Sequence, residues 1–401
     1  MVVVATHGLL SQNHFRKGNT MNKSDRKIVI CSAIVFVLLA IVASGFMMFS
    51  PAFNNRSNIP SPRRMPRVLP VLPPAAMVST TNNTMVLGID GTLWAKGDNI
   101  RGGLGDNSEI PRRFFDQVGT DADWAYVTAG ESHTVAIKTD GTLWAWGHNG
   151  RGSGVNPISS TLGDGTDIHR FTPVQISTDT DWVMVAAGQI NTVAIRADGT
   201  LWFWGTILVE TDELKHSLVP IQVGTDTDWV YAVAGGGVML IKADGTRWVW
   251  GENRRGIMGN GTTEVIPVPT QVAEDATWRV VDIGTFHSVG IQTDGSLWAW
   301  GSNTQGGLGN GTMEPSLYPI QVGTYTDWVS VAAGFSYTIA TRADGSLWVC
   351  GWTSLLNFGG LTHRDTTVLT QIHPYEHWIS VAAGGRRAFA VTQDGRVVRL
   401  G

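Results

Sequence analysis

From about Ala75 to the C-terminus, apolar residues come in short β-rich runs separated by glycine, aspartate and proline. In HTVAIKTDGTLWAWG (His133–Gly147) two such runs flank an Asp-Gly pair. That is the pattern of a hairpin with a two-residue turn whose central residues both favour positive φ. Upstream, DWVMVAA (Asp181–Ala187) reads as a further short strand, and downstream PVQI (Pro173–Ile176) or PIQV (Pro220–Val223) reads as a fourth.

The unit repeats. Asp-Gly pairs that sit between two such runs begin at Asp90, Asp140, Asp198, Asp244, Asp294, Asp344 and Asp394, at spacings of 50, 58, 46, 50, 50 and 50 residues. A phrase such as DWVSVAAG (Asp327–Gly334) precedes six of them, and all 17 tryptophans except Trp352 fall in these two phrases. Seven repeats of four short strands predict an all-β fold, a seven-bladed propeller of four-stranded antiparallel blades. The Ala-Ala-Gly strand, with the smallest side chains, is expected innermost. The tryptophans are expected to fill the gaps between blades, burying roughly 150–250 Å² each.

The segment GSNTQGGLGNGT (Gly301–Thr312), followed by YPIQVGTYTDWVSVAAGFSYT (Tyr318–Thr338), resembles the regulator-of-chromosome-condensation repeat family. The likeness extends over about Ala75–Gly401 and implies a seven-bladed propeller, in agreement with the count. It also implies, for some members, guanine-nucleotide exchange on small GTPases, and for some secreted relatives inhibition of enzymes. The glycine-rich loop of the family is clear at Gly97–Asn107, Gly251–Gly261 and Gly301–Gly311, stretched at Gly147–Gly165, and lost at Gly205–Leu218 and Gly351–Asp365. The histidine that the family places after Ala-Gly is kept at His133 and His287 and becomes Asn83, Asn191, Tyr337 and Arg387 elsewhere.

Four domains are expected: a basic segment over 1–27, an apolar segment over 28–50, a Pro/Arg/Asn-rich linker over 51–74 and the propeller over 75–401. Ile28–Ser50 carries no charge over 23 residues, long enough to cross a bilayer as a helix. Arg16, Lys17, Lys23, Arg26 and Lys27 precede it. These basic residues favour a cytoplasmic N-terminus and an extracytoplasmic propeller, with secretion the alternative if the segment is cleaved. Met21 is a second plausible start. The last unit stops after RVVRLG, so Arg67–Pro73 is expected to supply its outer strand.

Composition narrows the function. Two cysteines provide no disulfide framework, and a net charge of −4 argues against a nucleic-acid partner. No phosphate-binding loop, nucleophile elbow or zinc motif occurs, so no catalytic residue, cofactor or metal is expected. His373 and His377 lack further ligands nearby. The TDTDW aspartates (Thr178–Trp182, Thr225–Trp229) are read as turn residues before calcium ligands.

Strand direction puts the Asp-Gly hairpins on one face and the unit-specific loops on the other. On the variable face the candidate partner-binding residues are Phe286, Phe335, Tyr337, Trp352, Arg386 and Arg387, types that dominate interface hot spots. The expected function is a non-enzymatic, membrane-tethered scaffold that binds a protein or surface polymer. The alternatives are an exchange factor-like regulator of a small GTPase, which needs a wedge not visible in the sequence, and an enzyme acting on surface polymers through carboxylates such as Glu131 and Glu210.

Overall fold

The computed structural model describes residues 74–79, 82–150, 160–210, 213–272, 276–356 and 365–400. They form seven antiparallel sheets, six of four strands and a last one of three. Blades are numbered 1 to 7 in chain order and their strands A to D outwards from the axis. Blade 6 is representative: Trp328–Ala333, Tyr337–Arg342, Leu347–Gly351 and Thr366–Ile372. The A strands of successive blades touch in a closed ring, with Trp378–Gly384 of blade 7 against Pro74–Ser79 of blade 1. Pro74–Ser79, which lacks the tryptophan phrase, is thus the seventh inner strand. Arg67–Pro73 and the apolar segment 28–50 lie outside the described residues. Among the described residues no helix is long and apolar enough to cross a membrane.

The core is divided, with one apolar cluster between each successive pair of blades from 1 to 7. Between blades 5 and 6, Val289, Leu297, Ala299 and Leu308 meet Trp328, Val331 and Ala340. Stability in such an array is close to a sum of neighbour interfaces. Trp146, Trp204, Trp250 and Trp300 of the C strands are fully buried, as gap-filling requires.

The hairpins differ from the two-residue turn that Asp-Gly suggests. Only the glycine takes positive φ, for example Gly141 at 81°. The turn is longer: Gly141 N–H donates to the Lys138 carbonyl, and Lys138 N–H donates to the Thr142 carbonyl. The aspartate stays at negative φ because its carboxylate has another partner, Asp140 Oδ1 accepting from Thr142 N (2.9 Å) and Thr142 Oγ1 (2.6 Å). That hydroxyl in turn accepts from Trp144 Nε1 at 2.9 Å. The same Asp–Thr/Ser–Trp relay recurs in blades 1 to 6. D-G-T/S-L-W is therefore one hydrogen-bonded device.

Each hairpin also fastens the next blade. The glycine carbonyl accepts the N–H of the tryptophan that opens the following A strand, at 2.9 to 3.3 Å in all six cases. A Cβ on Gly141 would lie 2.1 Å from the Thr180 carbonyl oxygen, and one on Gly295 2.0 Å from that of Thr326. The repeated aspartates of the link hold cations. Lys138 Nζ meets Asp121 at 2.7 Å and Asp123 at 3.1 Å, over the rings of Trp124 and Trp144 at 4.9 and 4.7 Å. Lys242 repeats this with Asp226, Asp228, Trp229 and Trp248, and Arg196 does so with Asp179, Asp181, Trp182 and Trp202. Burial works to lower the affinity of Lys138 and Lys242 for their protons, but the aspartates prevail and raise it.

Candidate functional site

Opposite the hairpins, the A–B and C–D loops share one face. Backbone bonds tie successive A–B loops around the axis: Thr285 N–H to the Gly334 carbonyl (3.2 Å) and Phe335 N–H to the Gly385 carbonyl (2.9 Å). In blades 1, 2, 3, 5 and 6 the chain leaving the C strand is tied to the A–B loop of its own blade, as where Trp352 N–H donates to the Ser336 carbonyl at 2.9 Å. Where the glycine loop survives, a buried asparagine organises it. Asn253 Oδ1 accepts from Met258 N at 2.9 Å, while its Nδ2 donates to Asn260 Oδ1 and the Thr262 carbonyl. The stretched loop of blade 2 keeps this staple at Asn149.

These ties assemble four of the six expected residues into a row. Phe286 and Phe335 pack edge to face at 4.7 Å, and Phe335 lies 6.1 Å from Trp352. The Arg386 guanidinium sits over Phe335 and Trp352 at 5.5 and 5.8 Å. The three rings are half-buried and Arg386 is exposed. At the far end lies a residue that the sequence reading missed, Arg255, whose guanidinium stands 4.1 Å above Phe286. It projects from the blade-4 loop with a φ of 67°, a conformation disfavoured for a residue with a Cβ. Its signal was its place two residues after a loop asparagine. Among the described residues neither Arg255 nor Arg386 forms an ion pair, whereas Arg254 is held by Glu252.

Tyr337 and Arg387 are placed elsewhere. Both occupy the family's histidine slot, which proves to be a clamp between blades. His133 Nε2 meets Thr192 Oγ1 at 3.0 Å and His287 Nε2 meets Thr338 Oγ1 at 2.8 Å, each reaching one blade on. Tyr337 is fully buried and its hydroxyl donates to the Arg387 carbonyl. Arg387 spans the ring closure, donating to the Asn82 carbonyl at 2.5 Å and pairing with Asp98 at 3.1 Å. Burial depresses His133 to about 3 and His287 to about 4, so both are neutral props.

The lost glycine loop of blade 3 is replaced by an extended hairpin. Its C and D strands run Leu201–Glu210 and Glu213–Val223, twice the usual length, with Gly205 opposite Ser217 and Leu208 opposite Leu214. The hairpin continues beyond the point where the other C strands end, with Ile207 buried against Gly251 and Lys215 over the ring of Trp250 in blade 4. Its signal was the apolar, mostly β-branched run after Gly205, TILV, where other units turn to glycine. Glu131 lies in the A–B loop of blade 2, its carbonyl accepting from Asn82 Nδ2 at 3.0 Å, and Glu210 lies at the tip of the blade-3 strand. Among the described residues no group of three or more histidine, cysteine or carboxylate side chains is placed to hold a metal.

Ring closure, the Asp–Thr/Ser–Trp relay and the loop face define a seven-bladed repeat propeller. The sequence pattern of the RCC1-like domain matches residues 53–390. The chain belongs to the RCC1-like domain family. It is similar in structure to Prp20p of Saccharomyces cerevisiae, at 20% identity and a TM-score of 0.68 over 80% of this chain and 83% of that one. That protein was studied for its binding to Gsp1p and histones. A second structure, of yeast RCC1 (Prp20) bound to Kap60, aligns at 18% identity with the same TM-score, covering 80% of this chain and 81% of that one. Human WBSCR16 aligns at 18% identity and a TM-score of 0.63, over 79% of this chain and 86% of its own. These likenesses concern the fold. No curated protein sequence matches the chain.

Proposed function

We propose that this chain is a non-enzymatic, protein-binding propeller that grips its partner on the loop face. One observation carries the reading: Arg255 and Arg386, exposed and without ion pairs among the described residues, are stacked on the half-exposed rings of Phe286, Phe335 and Trp352. Arginine and aromatic side chains dominate interface energetics when clustered. Prp20p, studied with Gsp1p and histones, is a precedent for protein partners on such a propeller. Residues 28–50 belong to the proposal as a membrane anchor with the propeller outside the cytoplasm, or as a cleaved signal. The test is crosslinked capture from intact host cells with the native chain and with a Phe335→Ala/Arg386→Gln variant. A protein captured by the first and lost with the second supports the reading. A set of captured proteins identical in both defeats it.

A second reading, a small-GTPase exchange factor, is favoured by the extended hairpin of blade 3, which has the form of the wedge that exchange demands. It requires the propeller to face the cytoplasm. Protease digestion of the propeller in intact cells removes this reading. Protection until lysis sustains it, and release of a fluorescent guanine nucleotide from host GTPases then becomes the decisive assay.

A further inference from the structure

We propose that the row Arg255–Phe286–Phe335–Trp352–Arg386 is a docking site for an extended acidic segment of the partner protein, one that carries an aromatic or large aliphatic side chain. The inference rests on the loop-face reading above and adds the chemistry of what binds. The guanidinium carbons lie over ring faces, Arg255 at 4.1 Å from Phe286 and Arg386 at 5.5 and 5.8 Å from Phe335 and Trp352, and among the described residues neither guanidinium has an ion-pair partner. A carboxylate matches that planar fork with two parallel hydrogen bonds, as no neutral group does.

Spacing points to an extended chain. The ring centroids are separated by steps of 4.7 and 6.1 Å. Alternate side chains on one face of a strand are about 6.5–7 Å apart. An extended segment can therefore set one carboxylate at Arg255 and another at Arg386, with an apolar side chain against the ring edges between them. A basic segment would meet two unpaired positive charges, and an uncharged apolar segment would bury them unsatisfied. A densely sulfated polymer gains most from clustered cations, and these two are set apart, one over Phe286 and the other over Phe335 and Trp352.

The full chain in detergent, immobilised through a C-terminal tag, is panned against a display library of random twelve-residue linear peptides. Enriched peptides are then measured by fluorescence anisotropy on the native chain and on Arg255→Gln, Arg386→Gln, Phe335→Ala and Trp352→Ala. Arg386→Lys serves as a variant that keeps the charge but loses the planar fork. The expected result is enrichment of acidic peptides bearing Phe, Trp or Leu. Affinity falls at least tenfold in each glutamine variant, is only partly restored by lysine, and weakens in 0.5 M salt. Enrichment of basic or neutral peptides, or of none, overturns the acidic occupant. If such peptides still lose affinity on Phe335→Ala, the loop-face reading survives it. Acidic peptides indifferent to all four substitutions overturn both.

Discussion

The two faces of this propeller are built from the same seven repeats and spend their polar groups differently. On the hairpin face the repeated carboxylates, hydroxyls and cations are engaged within the molecule, while the indole N–H groups of Trp124, Trp182, Trp229 and Trp328 are buried without a hydrogen-bond partner among the described residues. The aspartate holds the threonine, the threonine holds the tryptophan, the glycine carbonyl fastens the next blade, and the link aspartates clamp Lys138, Arg196 and Lys242. On the loop face the backbone is tied just as tightly, but several side chains are left over. Among the described residues Arg255 and Arg386 lie over rings and form no ion pair. Repetition marks where the chain fastens itself, and departure from it marks where something else is to be fastened.

Substitutions on each face can break that contrast. The largest effect is expected at a hairpin glycine. Gly295→Ala forces a Cβ into a left-handed conformation and against the Thr326 carbonyl, and should cost about 2–4 kcal/mol in urea unfolding. A loss below 1 kcal/mol would show that the hairpins are not the fasteners described.

Acid is next. His133 and His287 are held well below the ordinary histidine value of 6.5, so their contribution is fully present above pH 6.5 and is lost as pH falls towards 4 and 3. At pH 5 each should cost about 2 kcal/mol relative to pH 7.5. His287→Asn, the residue type that Asn191 places in the same slot, should flatten its share of the profile. An unchanged profile would mean that this clamp takes up its proton without strain. Lys242→Met comes third: it keeps the stem between two tryptophans and loses two ion pairs, for about 1 kcal/mol, with the loss shrinking in high salt. Smallest in stability are Arg386→Gln and Trp352→Ala, expected within about 0.5 kcal/mol of the native chain. These same two should reduce partner capture most, and a large loss of stability at either would move the row into the core.

Blade number, strand order and the face that varies were all readable, because each depends on residues a few positions apart. D-G-T-L-W carries turn, relay and gap-filling tryptophan within five residues, and repetition announces it. The directions of Tyr337 and Arg387 were not readable, since each is decided by a partner one blade further round the ring. Phe286, Phe335, Trp352 and Arg386 were singled out one by one as departures from the repeat. Their meeting depends on backbone bonds between loops that lie about 50 residues apart in sequence. Arg255 was missed because arginine in a loop is unremarkable until the ring beneath it is seen. Pro74–Ser79 lacked the phrase that names inner strands and was recruited by the gap it fills.

That inner strand has a consequence for presentation. It runs from Pro74 at the hairpin face to Ser79 at the loop face, so the chain comes into the ring from the side opposite the arginine row. A fusion made directly before Pro74 would therefore begin at the hairpin face, where the repeats fasten themselves to one another.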